Sequence, residues 1–414
     1  MLHLLAALPL LIWMYLLTAR GGFWRVSRQM NPWAAGTDRT GRAGPLPRVV
    51  AVIPARNEAA SIGTTVSSLL RQRFAGSLRV IVVDDGSTDG TAAAARAAAQ
   101  TADAADAAHA VDSAYAVDSA CAVASACAAD SAPRLTLIHG APLAPGWTGK
   151  LWALQQGVEA AQALAPDYLL FTDADIEHEP DCLAGLIANA EAGRRDLVSY
   201  MVRLSVDTAA ERCLIPAFVF FFLKLYPPRW TASPRSSTAG AAGGCILIRP
   251  QALHRIGGLT ALRAQIIDDC ALARAVKDSG GRLWLGLTRR ARSLRRYGSF
   301  GQIGDMISRT AFSQLRHSYG LLAATLLGLA VTYLLPPLLL LTHDPVAVAL
   351  GLAAWILMSA CYLPMVLFYD VCAAWSLCLP AIAAFYAGAT VHSAVRYALG
   401  RGGLWKGRAQ DPGT

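Results

Sequence analysis

The stretch Tyr168-Leu169-Leu170-Phe171-Thr172-Asp173-Ala174-Asp175 indicates how the middle of this chain folds. Its apolar run is typical of a buried strand, and the run stops at two carboxylates one residue apart. Side chains alternate between faces in an extended chain, so we expect Asp173 and Asp175 to point the same way. Two carboxylates on one side predict a site for Mg²⁺ or Mn²⁺, although an acidic turn in solvent would have the same sequence.

Two earlier apolar runs also end in polar motifs. Residues 49–53 lead into Pro54-Ala55-Arg56-Asn57-Glu58, and residues 78–83 lead into Asp84-Asp85-Gly86-Ser87, with a helical pattern over 61–70 between them. Strand, helix and strand in this order predict an α/β fold with a largely parallel sheet. Ligands bind at the carboxyl ends of such strands, although Asp84-Asp85-Gly86-Ser87 would also suit an ordinary polar turn.

Three further motifs follow the same logic. Gly149-Lys150 begins a helical pattern after a strand at 134–138, and a lysine there can contact a phosphate or lie in solvent. Gly243-Gly244 precedes a strand at 245–248. Asp268-Asp269 begins another helix, where acids are also favoured by the helix dipole alone.

The apolar content indicates membrane helices. Of 414 residues, 54% are hydrophobic, and the region 320–394 contains only Asp344 and Asp370 as charged side chains. That length can hold three membrane-spanning helices of about 20 residues each. The segment 213–225 is too short to span, so it is either a core helix or an interfacial helix.

Residues 2–17 are predicted to be an N-terminal anchor and not a cleaved signal peptide, because no Lys or Arg precedes the apolar run. The arginines after the run, Arg20, Arg25 and Arg28, place the following residues in the cytoplasm. The net charge of +9 gathers near predicted membrane boundaries, which favours anionic lipid over nucleic acid as a partner. The nine cysteines show no zinc-site spacing and suggest a reducing compartment.

Taken in sequence order, these motifs resemble those of the family 2 glycosyltransferases of the GT-A fold, which are membrane-bound enzymes with a nucleotide-sugar donor. The motifs that carry the resemblance are Ile53-Pro54-Ala55-Arg56-Asn57-Glu58, Val83-Asp84-Asp85-Gly86-Ser87, Gly149-Lys150, Asp173-Ala174-Asp175, Gly243-Gly244 and Asp268-Asp269-Cys270-Ala271-Leu272. The resemblance implies a GT-A nucleotide-sugar-binding domain with a mixed, mostly parallel sheet, plus N-terminal and C-terminal transmembrane helices.

The resemblance also implies site residues. The implied donor-binding residues are Pro54, Arg56, Glu58, Asp84 or Asp85, Lys150, Asp173, Arg309 and Arg316. Asp175, with Asp173, would hold Mg²⁺ or Mn²⁺. Asp269 would be the catalytic base beside Asp268, with Gly243 and Gly244 on the acceptor side. Arg309 and Arg316 are seven residues apart and would share a helical face toward the diphosphate, unless they bind lipid headgroups.

The predicted domains are an anchor at 1–19, a catalytic domain at 48–300 with a low-complexity, alanine-rich insertion at 92–132, a juxtamembrane segment at 301–319, a transmembrane block at 320–395 and a basic tail at 396–414. Within the family, Ile307 to Arg316 and Gly403 to Arg408 resemble hopanoid-biosynthesis-associated enzymes. The implied function is inverting transfer of a sugar, from a UDP-sugar most readily, to a lipid such as a hopanoid. The implied setting is a multi-pass protein of a bacterial-type inner membrane with a cytoplasmic catalytic domain. The alternatives are a membrane polysaccharide synthase and an inactive nucleotide-binding scaffold.

Overall fold

The computed structural model describes residues 2–30, 46–116, 133–400, 404–405 and 408–409. Its main strands are β1 (Arg48–Ala55), β2 (Ser77–Asp84), β3 (Leu135–His139), β4 (Tyr168–Thr172), β5 (Ile176–His178), β6 (Leu197–Arg203), β7 (Cys245–Ile248) and β8 (Leu283–Ser293). They form one mixed sheet in the order β3-β2-β1-β4-β7-β6-β8-β5. A short antiparallel pair, β9 (Leu404–Trp405) and β10 (Arg408–Ala409), lies near the end of the chain.

The helices in chain order are α1 (Leu2–Thr18), α2 (Ile62–Leu70), α3 (Thr91–Ala116), α4 (Gly149–Gln162), α5 (Cys182–Ala192), α6 (Ala209–Leu225), α7 (Pro228–Ala232), α8 (Pro250–Arg255), α9 (Asp268–Asp278), α10 (Phe300–Ser308), α11 (Ala311–Gln314), α12 (Tyr319–Leu339), α13 (Pro345–Phe368) and α14 (Ala373–Ala398). Short 3₁₀ turns lie at Val26–Arg28 and Leu259–Leu262. The predicted α/β class is confirmed.

The sheet brings the predicted motifs to one edge. Strand β1 pairs in parallel with both β2 and β4, so their carboxyl ends lie side by side. Strand β7 runs antiparallel to β4, with Thr172 opposite Cys245. Because β7 is antiparallel, the Gly243-Gly244 pair before it lies next to the residues that follow β4.

The first acid pair lies in a turn. Strand β4 ends at Thr172, and residues 173–175 turn the chain into β5. The alternation expected of an extended chain therefore does not apply, and the two carboxylates make different contacts. Asp173 lies against Lys150, whereas the charges that act on Asp175 are those of Asp173, Glu58 and Arg295.

The alanine-rich segment begins as part of the fold. Ala95, Ala99 and Ala102 of α3 are buried in the core on one face of the sheet, and α3 packs against α2. Small side chains at helical spacing let the two helices approach closely. The start of the predicted insertion at 92 is therefore the crossover helix that leads from β2 toward β3, and residues 117–132 lie outside the described part.

A separate hydrophobic core joins the sheet domain, which contains strands β1 to β8, to the apolar C-terminal helices. Helix α6 contributes Leu214, Phe220 and Leu223, each at most 1% exposed, and packs against α13 and α14. A capping box formed by Thr208 and Glu211 begins the helix, as expected for a well-defined N-terminus. Of the two alternatives for 213–225, the structure therefore favours the core helix.

Three helices, α12, α13 and α14, are long and apolar enough to cross a membrane. Helix α1 has only 17 residues, fewer than the roughly 20 that a span needs. It packs along α13, and the Trp13 indole donates to the Thr332 carbonyl at 2.9 Å. The predicted N-terminal anchor is thus an apolar helix packed on the C-terminal block, and its role as a span stays a prediction.

Candidate active site

Lys150 joins the two predicted acid pairs. Its ammonium lies 2.8 Å from Asp173 Oδ1 and 3.5 Å from Asp268 Oδ2, which links the end of β4 to the start of α9. Burial lowers the pKa of Lys150, but the charges of these two carboxylates outweigh burial and hold the pKa above its usual value. Lys150 is therefore a fixed positive charge at the centre of the site.

Asp269 is held by two backbone donors. The Gly243 N–H donates to its Oδ2 at 2.8 Å, and the Cys270 N–H donates to its Oδ1 at 2.7 Å. Burial, followed by the negative charge of Asp268, raises the pKa of Asp269 to about 6, while Lys150 acts in the lowering direction. A carboxylate with this pKa is ionised at neutral pH and is well suited to accept a proton.

Gly243 allows this close approach. A Cβ at this position would lie 3.2 Å from Lys150 Nζ and 3.4 Å from Asp269 Oδ2, which is tight contact. Of the glycine pair expected on the acceptor side, Gly243 therefore lies directly against Asp269. A cavity opens beside Asp269. The residues that line it include Pro54, Lys150, Asp173, Gly243, Asp268 and Asp269.

Asp175 lies in an excess of negative charge. Burial raises its pKa to about 6, the charges of Asp173 and Glu58 act in the same direction, and Arg295 opposes them. Repulsion of this kind is relieved by a divalent cation, and carboxylate oxygens are the ligands that Mg²⁺ and Mn²⁺ prefer. The residues present therefore fit the expected metal, with Asp173 and Asp175 as candidate ligands.

The ends of β1 and β2 form a second part of the site. The Arg56 guanidinium donates to the Asp85 carbonyl and lies 3.7 Å from the Asp85 carboxylate. Asp84 Oδ1 accepts a hydrogen bond from the Ser87 N–H at 3.0 Å. Both acids are buried. The structure thus brings Arg56, Asp84 and Asp85 together at the strand ends, next to Pro54 in the cavity wall.

The two predicted arginines are separated by a break in the helix. Arg309 follows α10, whose end is at Ser308, and Arg316 follows α11 with a φ of 52°. A residue in that left-handed conformation cannot continue a helix, so the expected shared helical face is wrong. Burial lowers the pKa of Arg309, and Asp173 and Asp268 both act on it, so Arg309 lies near the acids. Arg316 is exposed.

Tyr226 lies near Asp269 and pairs with Gln314, and the spacing of these residues in the sequence gives no signal of this. Tyr226 directly follows α6, and its hydroxyl accepts a hydrogen bond from Gln314 Nε2 at 2.6 Å across 88 residues of chain. Burial raises the pKa of the Tyr226 phenol, and Cys270 and Asp269 act in the same direction, which indicates that the phenol lies close to Asp269. Gln314 ends α11, just before α12.

The fold and the site define a glycosyltransferase, and comparison with known families agrees. Residues 50–106 match Glycosyl transferase family 2, and residues 114–397 match Glycosyl transferase family 21. Because the second match covers more than half of the sequence, the chain belongs to Glycosyl transferase family 21. A search of curated protein sequences found no match.

Several solved structures are similar in arrangement at low sequence identity. A mannosyltransferase from Pyrobaculum calidifontis, in complex with GDP-mannose and Mn²⁺, is 19% identical, with a TM-score of 0.49 and coverage of 95% of this chain and 99% of that chain. Glucosyl-3-phosphoglycerate synthase from Mycobacterium tuberculosis, in complex with Mn²⁺, UDP and glucosyl-3-phosphoglycerate, is 17% identical, with a TM-score of 0.37 and coverage of 65% and 79%. Mannosyl-3-phosphoglycerate synthase from Rubrobacter xylanophilus is 15% identical, with a TM-score of 0.38 and coverage of 72% and 82%.

Proposed function

We propose that this glycosyltransferase moves a sugar, with inversion, from a nucleotide-diphosphate donor to the hydroxyl of a membrane lipid at the cytoplasmic face of the membrane. One observation carries the proposal. Asp269 lines the same cavity as Lys150 and Asp173, and it also acts on Tyr226, whose hydroxyl accepts a hydrogen bond from Gln314 just before the apolar block. An acceptor hydroxyl that enters the cavity from the side of the block would lie within reach of Asp269.

The reaction needs a base that takes the acceptor proton and positive charge that stabilises the departing diphosphate. Asp269 takes the proton of the acceptor hydroxyl while the acceptor oxygen forms a bond to the anomeric carbon and the bond from that carbon to the diphosphate breaks. Attack from the face opposite the leaving group inverts the anomeric centre. Lys150 and Arg309 are the nearby cations that stabilise the departing diphosphate, and a bound Mg²⁺ or Mn²⁺ would neutralise further charge there.

Neighbouring charges set the pKa of the proposed base, Asp269. Asp268 raises the pKa of Asp269 and is itself linked to Lys150 at 3.5 Å, so the acid pair couples proton transfer to the charge on the donor side. The nucleotide would lie over the ends of β1 and β2, where Arg56 and the buried Asp84 and Asp85 provide polar contacts. We propose that one of these two acids accepts a hydrogen bond from the base of the nucleotide.

Contacts of the C-terminal helices support two membrane crossings. The loop before α13 contacts the first turn of α1, because His3 Nε2 lies 2.7 Å from Asp344 Oδ2. After α13, Asp370 pairs with Arg203 of β6 at 2.7 Å and Arg289 of β8 at 3.1 Å, so the chain has returned to the sheet domain. Helices α12 and α13 therefore form an outward and a returning pass.

Helix α14 ends on the same side as it starts. Its last turns contact the segment before α12, because the Phe312 N–H donates to Ser393 Oγ at 3.0 Å and Arg396 lies 3.3 Å from Asp305. We propose that α14 is re-entrant or interfacial, which leaves the basic tail in the cytoplasm, where the excess of arginine and lysine favours it. An epitope at the C-terminus should be digested by protease in inverted vesicles and protected in intact cells. A tag inserted after His343 should show the reverse, and a protected tail in inverted vesicles would contradict this topology.

The function is tested with purified protein, a panel of UDP- and GDP-sugars, Mn²⁺ and membrane lipid extract that includes hopanoids. We expect single-sugar lipid adducts. The variant Asp269→Asn should lose at least about a hundredfold in kcat, since a general base contributes that much, with donor affinity nearly unchanged. Product ladders would indicate a polysaccharide synthase. Donor binding without any product would indicate a scaffold, and no donor binding at all would refute the proposal.

A further inference from the structure

A buried hydroxyl bridges the two strand ends that carry the site. Thr172 is the last residue of β4 and is 1% exposed. Its Oγ1 lies 2.9 Å from the Gly244 carbonyl oxygen and 3.0 Å from His178 Nε2. The three residues come from β4, from the segment before β7 and from β5, so the bridge joins elements that are separate in the sequence.

The hydrogen atoms of this bridge can be assigned. The Gly244 carbonyl only accepts, so the one proton of the Thr172 hydroxyl is donated to it. The same hydroxyl must then accept from His178, which requires a proton on Nε2. His178 is 3% exposed, and its backbone N–H donates to Ser68 Oγ at 3.1 Å. Both the backbone and the ring of His178 are therefore held in place.

The bridge lies where the two halves of the site diverge. Thr172 and Cys245 form the last paired rung between β4 and β7. On one side of the rung the chain continues into Asp173, which contacts Lys150. On the other side, Gly243 donates its N–H to Asp269. The hydroxyl therefore lies at the branch point between the chain that carries Asp173 and the chain that contacts Asp269.

We infer that His178 and Thr172 are positioning residues, which form a buried hydrogen-bond bridge that sets the separation of the donor-side carboxylates from the base Asp269. This inference rests on the proposed function for its catalytic consequence, although the bridge itself does not. A displacement of about 1 Å between reacting groups is sufficient to cost about a hundredfold in rate, so the bridge affects kcat more than donor binding.

The same neighbourhood contains a cluster of one imidazole and two thiols. The side chains of His178, Cys182 and Cys245 are buried, and their nitrogen and sulfur ligand atoms lie within 4.8 Å of one another. Because Thr172 engages His178 Nε2, Nδ1 is the ring nitrogen left to face the two thiols. A histidine that binds a metal through one nitrogen commonly donates its other N–H to an oxygen, so the bridge would be the same with or without an ion in this cluster.

The kinetic test uses Thr172→Val, which removes the hydroxyl and keeps the shape, together with Thr172→Ser, which keeps the hydroxyl. The control is Thr288→Val, because Thr288 is also a buried threonine, 3% exposed, whose hydroxyl accepts from the Arg290 N–H. We expect Thr172→Val to lower kcat at least about tenfold with donor Kd changed less than about threefold. Thr172→Ser and Thr288→Val should stay within about threefold of wild-type kcat. Equal effects of the two valine variants would overturn the inference.

A spectroscopic test works even if no donor is turned over. With ¹⁵N-labelled histidine, the resonance lost in His178→Gln should be that of a ring protonated on Nε2, and Thr172→Val should shift it. A ring protonated only on Nδ1, or a resonance that Thr172→Val leaves unshifted, would overturn the bridge. Absence of transfer with every donor would refute the proposed function, while this result would still decide the bridge.

Discussion

The charge of Lys150 should control the pH dependence of transfer. We consider Lys150→Met, which removes the ammonium and keeps an unbranched apolar side chain. Lys150 lowers the pKa of Asp269, which burial and Asp268 raise to about 6. Without that charge the base holds its proton more tightly. The acid limb of the pH–kcat/KM profile should therefore move to higher pH.

The magnitude follows from the geometry. A Cβ on Gly243 would lie 3.2 Å from Lys150 Nζ and 3.4 Å from Asp269 Oδ2, so the two charges are separated by at most the sum, about 6.6 Å. At that separation and an effective dielectric constant of about 20, the attraction is at least about 2.5 kcal/mol, or nearly two pH units. The Lys150 side chain is 18% exposed, so solvent screening leaves an expected shift of at least about one unit.

The assay is initial-rate transfer at saturating Mn²⁺ between pH 5 and 9, with Lys150→Arg as the matched control. The wild-type acid limb should lie near or below pH 6, because a bound cation lowers carboxylate pKa values further. We expect the acid limb of Lys150→Met to lie at least about one pH unit higher. We also expect its kcat/KM to be lower at all pH values, because contacts to the diphosphate are weaker. Lys150→Arg should keep the wild-type limb. An unchanged limb in Lys150→Met would refute the reasoning that Lys150 tunes the base.

Three further predictions concern the metal and the junction between the sheet domain and the apolar C-terminal helices. Asp175→Asn should weaken Mn²⁺ binding, measured by calorimetry, at least about tenfold, whereas the exposed control Asp278→Asn should not. Because burial raises the pKa of Asp175 to about 6, wild-type Mn²⁺ affinity should also fall as the pH drops below 6, since protons compete for the carboxylate. Asp370→Ala should lower the melting temperature by about 1–3 °C through loss of its two arginine partners, because exposed pairs contribute about 1 kcal/mol or less each. Asp207→Ala, which removes one exposed ion pair within the sheet domain, is its control; an equal shift would mean that Asp370 does not anchor α13.

Several elements could be predicted because their signals are local. Continuous apolar runs indicate strands that are covered on both faces, and β1, β2, β4 and β7 were predicted from such runs to within about two residues. The polar motifs follow these strands directly, so the sheet necessarily brings them to one edge. The glycosyltransferase class followed from the order of those motifs.

Other predictions failed where a local pattern was extended too far. The alternation argument for Asp173 and Asp175 failed because β4 ends one residue earlier, at Thr172. The shared face of Arg309 and Arg316 failed because Arg316 and His317 adopt left-handed conformations that interrupt the helix. Spacing predicts a common face only while the dihedral angles stay regular.

The sequence by itself determined strands β1, β2, β4 and β7, the acid pairs and the apolar C-terminal helices, because continuous apolar runs report which segments are buried. Only the tertiary structure decided that Lys150 bridges the two acid pairs, that Tyr226 lies near Asp269 and pairs with Gln314, and that the end of α14 contacts α10 and α11. Those contacts join residues far apart in the chain, and their distances depend on how whole elements pack. No local pattern of residue types encodes such a distance, so the bridge from His178 through Thr172 to Gly244 becomes visible only in the folded chain.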